Sequence, residues 1–102
     1  MYTFIYEGII YGFGYSKPEC LADAMNWLSE WGHEEIAERL NNFELLENIF
    51  FISKEEKKLY DKITEYQKKN NINEKVEFHV NYGIVSIEDY YTKEFLQELK
   101  EH

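Results

Sequence analysis

The stretch "IIYGFGYSKPEC", Ile9 to Cys20, is where the chain changes period. Before it, "YTFIYE" (residues 2–7) and the run 9–15 are rich in aromatic and β-branched residues around Glu7-Gly8, which reads as a β-hairpin. By strict alternation Tyr2, Phe4 and Tyr6 share one face of the first strand. On the second, Ile9, Tyr11, Phe13 and Tyr15 share one face, and Ile10, Gly12 and Gly14 the other. Both faces carry apolar bulk, so neither is expected to be simply wet. After it, Leu21, Ala24, Met25 and Leu28 recur at helical spacing, with Gly32 as a stop. Between the two lie Ser16 and Glu19 at capping-box spacing and Pro18 in the first turn, where its missing N–H is harmless.

Gly12-x-Gly14 followed by Lys17 raises the question of a phosphate loop. The dinucleotide pattern stops after two glycines, and the nucleoside-triphosphate pattern is absent. Glycines two apart in a strand fall on one face, and a bare face lets a helix or a partner approach the backbone closely. The glycines therefore read as architecture, and no cofactor is expected.

Further on, a short helix over 33–42 presents Ile36, Ala37 and Leu40. "NIFFI" (48–52) is a short strand or a helix end. Ser53 with Glu56 opens a long helix to about Lys69, with Leu59, Tyr60, Ile63 and Tyr66 on its apolar line and Asn70-Asn71 at its end. "KVEFHVNY" alternates, with Val76, Phe78, Val80 and Tyr82 inward and Glu77, His79 and Asn81 outward, before "NYG" turns into "IVSI". A last helix, from about Thr92 to Lys100, carries Phe95, Leu96 and Leu99. The order ββ-α-α-(β)-α-ββ-α predicts a single α+β domain over 1–102. Two β-hairpins form an antiparallel sheet with three to four helices packed on it.

With 102 residues, 44% of them hydrophobic and 18% aromatic, the chain can bury one real core. No apolar run approaches the roughly 20 residues of a membrane span. The start lacks a basic leader and carries Glu7, so a secretory signal is not expected. The single cysteine excludes an internal disulfide, and the compartment expected is the cytoplasm. Lysine outnumbers arginine ten to one beside many Asn and Ile, the codon bias of an AT-rich genome.

The net charge of −9 is uneven: residues 1–52 hold nine acids against Lys17 and Arg39, while 53–102 hold eleven acids against nine lysines. Such a field repels nucleic acid and anionic membrane and attracts basic protein surfaces. In "EWGHEEIAERL" and just beyond, Glu30, Glu34, Glu35, Glu38, Glu44 and Glu47 fall within eighteen residues. Arg39 is expected to pair only with Glu35, and Glu34 repels Glu38 four residues on. His33 beside Glu34, Glu35 and Glu38 suggests a metal, but the second histidine of H-E-x-x-H is missing, and no metal is expected. Trp27 lies at the edge of the first helix's inward stripe and Trp31 one turn on. Core packing is the ordinary account of such a pair; an edge tryptophan among glutamates also resembles a binding anchor with a charged rim.

One other chemistry is open. Cys20 lies in the first turn of a helix, where the dipole lowers a thiol pKa. His79 and Asn81 follow on one strand face, giving the Cys…His…Asn order of a nucleophilic enzyme. The bland account is a small buried hydrophobe.

The favoured expectation is a non-enzymatic interaction protein. Trp27, Glu30, Trp31, Glu34, Glu35, Glu38, Glu44 and Glu47 would meet a basic surface of a target protein, in competition with nucleic acid. An inhibitor of this kind suits a phage-borne or mobile-element anti-defence role. The runners-up are the Cys20/His79/Asn81 enzyme and a ligand-binding or adaptor protein that forms a homodimer through the N-terminal hairpin, since a flat hairpin invites edge pairing.

Overall fold

A computed structural model describes residues 1–73, 76–87 and 93–101. In chain order it holds β1 (Tyr2–Tyr6), β2 (Ile9–Gly14), α1 (Lys17–Glu30), α2 (Glu34–Asn41), a 3-10 turn (Leu46–Asn48), β3 (Ile49–Phe51), α3 (Lys54–Lys69), β4 (His79–Asn81), β5 (Ile84–Ser86) and α4 (Lys93–Glu101). The α+β class, the two hairpins and the order of elements are as read from the sequence. The expected start of the last helix at Thr92 lies outside the described residues.

Both hairpins turn on two residues with positive φ, Glu7-Gly8 (52° and 81°) and Tyr82-Gly83 (52° and 78°), a type I′ geometry that matches the strands' twist. The strands do not merge into one sheet. β1 is the centre of an antiparallel sheet in the order β2-β1-β3, and β4-β5 form a ribbon of their own. The link between them is thin: Ile9 bridges Glu77, and the Phe78 N–H donates to the Gly8 carbonyl at 2.9 Å. "NIFFI" resolves to strand β3 on the far side of β1.

A bulge in β2 overturns the strict alternation. The register runs Tyr2↔Gly14, Thr3↔Phe13, Phe4↔Gly12 and then Ile5↔Ile10, stepping over Tyr11. Tyr11 consequently joins Phe4 and the α1 face, while Phe13 and Ile10 fall to the opposite side.

The central sheet therefore walls two cores. On one face Phe4 and Tyr11 pack with Cys20, Ala24 and Leu28 of α1 and Leu40 of α2. On the other, Ile5 and Ile10 pack with Ile63 of α3, Phe78, Val85 and Leu96. The glycines do what their spacing implied: a Cβ on Gly12 would sit 2.5 Å from the Ala24 backbone nitrogen, and one on Gly14 would meet the Cys20 amide more closely still. That proximity turns α1 so that small Cys20 and Ala24 lie fully buried, with Leu21 and Met25 at the flank.

The helix ends follow their capping residues. Ser16 accepts from the Glu19 N–H at 3.3 Å, and Ser53 and Glu56 complete a reciprocal capping box. Gly32 (φ 81°) ends α1 with the His33 N–H bonded back to the Leu28 carbonyl at 2.7 Å. Asn71 (φ 56°) and Phe43 (φ 59°) end α3 and α2 in the same left-handed way. Two expected inward residues are not inside. Val80 is half-exposed and Tyr82 is open to solvent, because β4 is three residues long and Tyr82 already belongs to the turn.

Candidate functional site

The site begins at the outer edge of β2. In an antiparallel pair alternate N–H groups point away from the partner strand, and an edge strand must dispose of them. Here the Ile10 N–H meets the Val76 carbonyl at 3.4 Å, the Phe13 N–H donates to Asp23 Oδ2 at 2.9 Å and the Tyr15 N–H to Glu19 Oε2 at 3.0 Å. Glu19 and Asp23 are four apart on α1, and continuing at that spacing gives Trp27 and Trp31. One stripe of α1 thus lies along the β2 edge, acidic where it caps the strand and aromatic further on.

Trp27 and Trp31 are about two-fifths exposed. Their ring centroids are 5.2 Å apart, and Trp31 lies 5.5 Å from Tyr11, which in turn meets His33 edge-on at 5.8 Å. Burial, and then the neighbouring Glu7 and Tyr6, push the Tyr11 hydroxyl pKa up. Across the edge, α3 presents Tyr60, Thr64 and Gln67. Between the two helices, over Ile10 and Val76 and past Asn73, lies a cleft of about 530 Å³. It shares Thr64, Gln67 and Asn73 with an adjoining hollow of about 420 Å³ that opens past Lys68 and Ile72. The binding anchor expected of the tryptophans is thus one wall of a cleft. The other wall was missed from the sequence, although glutamine in an otherwise apolar line (Ile63, Tyr66, Gln67) was a readable sign.

The acids are all at the surface: Glu30 at the end of α1, Glu34, Glu35 and Glu38 on α2, and Glu44 and Glu47 in the loop beyond. At about 100° per residue the three α2 carboxylates span an arc of about 100°, opposite buried Ala37 and Leu40. The expected Arg39–Glu35 pair is replaced by Arg39 Nε–Glu44 Oε1 at 3.8 Å, because the left-handed Phe43 folds the chain back until the Glu44 N–H bonds the Arg39 carbonyl. Both partners of this pair are about half exposed.

The nucleophile expectation meets the opposite environment. Cys20 is fully buried under Gly12, its Sγ–H directed at the Gly12 carbonyl at 3.9 Å. Burial, reinforced by Asp23, pushes its pKa from an ordinary 9.0 up to about 12. The helix dipole does not offset that desolvation. β4, which carries His79 and Asn81, belongs to the separate ribbon against the other core. The side chains of His79 and Asn81 lie outside the described residues. Among the described residues no three His, Cys, Asp or Glu side chains gather as metal ligands would, and no helix is long and apolar enough to cross a membrane.

No protein-family model, curated protein sequence or solved structure matches the chain.

Proposed function

We propose that this chain is a small acidic binding module that docks on a basic surface of a protein and competes there with nucleic acid. The observation that carries the reading is the pairing of six exposed, almost unneutralised carboxylates with a half-exposed tryptophan pair on the same stretch of chain. A purely solubilising surface mixes signs, as α3 does with Lys57 on Asp61. A one-sign cluster costs self-repulsion and repays it by steering a cationic partner. Tryptophan supplies what charge does not, since most interface energy comes from a few buried aromatic or arginine anchors. Cys20, sealed beneath Gly12, lends no support to nucleophilic catalysis.

The test is affinity capture from cell extract with the wild-type chain and with Glu30, Glu34, Glu35 and Glu38 all changed to Gln. Removing those four charges takes the net charge from −9 to −5. The wild type is expected to retain basic proteins that excess duplex nucleic acid or raised salt releases, and the variant to lose them. A partner set shared by both proteins overturns the reading.

A further inference from the structure

We draw no further inference here: the strongest candidate, the exposed apolar patch of Phe43 and Leu46 on the acidic loop between α2 and the 3-10 turn, is an unpartnered surface, and nothing in the structure shows what covers it.

Discussion

Cys20 shows how packing can reverse what local position promises. A thiol in the first turn of a helix gains from the dipole, but the gain is worth at most about 2 kcal/mol and falls with distance. Full burial against Gly12 and Gly14 removes the water a thiolate needs, and the proton stays on. The linkage sign follows. Above about pH 9 the unfolded chain releases this proton while the folded chain keeps it until about 12, so the folded state holds more protons and loses stability as pH rises through that window. Tyr11, also raised, acts in the same direction. Urea melts at pH 7 and pH 10 should therefore show a lower midpoint at pH 10. A thiol reagent at pH 8 should label the denatured chain quickly and the native chain only at the rate of unfolding. Fast labelling of native protein would contradict the burial described.

At the level of elements, the acidic caps on β2 have a consequence for assembly. Asp23 and Glu19 occupy the N–H groups through which a second strand would add. Changing Asp23 to Ala should cost about 1.5 kcal/mol, the worth of a hydrogen bond to a charged acceptor, and should leave the Phe13 N–H open at the edge. Size-exclusion chromatography with light scattering should then find a larger assembly than the wild type forms at the same concentration. An Asp23→Ala chain of unchanged size and stability would show that the cap is incidental. Much of this level was legible. Ser16, Gly32, Ser53, Glu56 and Asn71 mark helix ends by rules that act within four residues, and such rules can be read from sequence. The bulge at Tyr11 was not legible, because two periods of alternation look the same until β1 selects a register. The Arg39–Glu44 pair was hidden for a similar reason, since it depends on Phe43 accepting a left-handed backbone. The α1 wall of the cleft could be inferred from one helix at a time. Its α3 wall could not, since nothing local says that Tyr60 and Gln67 face Trp27.

For the whole molecule the net charge of −9 sets two opposed responses to salt. Moving from about 0.01 M to about 0.15 M ionic strength shortens the screening length from about 30 Å to about 8 Å. Self-repulsion among Glu30, Glu34, Glu35 and Glu38 then fades, and the melting temperature should rise by on the order of a few degrees. Association with a basic partner should weaken over the same range, mainly through a slower on-rate. Thermal melts and stopped-flow association at the two salt levels check both. Parallel trends would mean that the charge which destabilises the fold is not the charge which recruits the partner.

The single wall between two cores carries one more implication. β1 has a strand on each edge and a core on each face. Neither half of the protein can melt while the other stays whole, because each uses the same five residues as its boundary. The α1 side, with its tryptophans, and the α4 side, with Leu96 and Leu99, are therefore bound to a common fate. Unfolding followed by probes on either side of the sheet should therefore give coincident transitions.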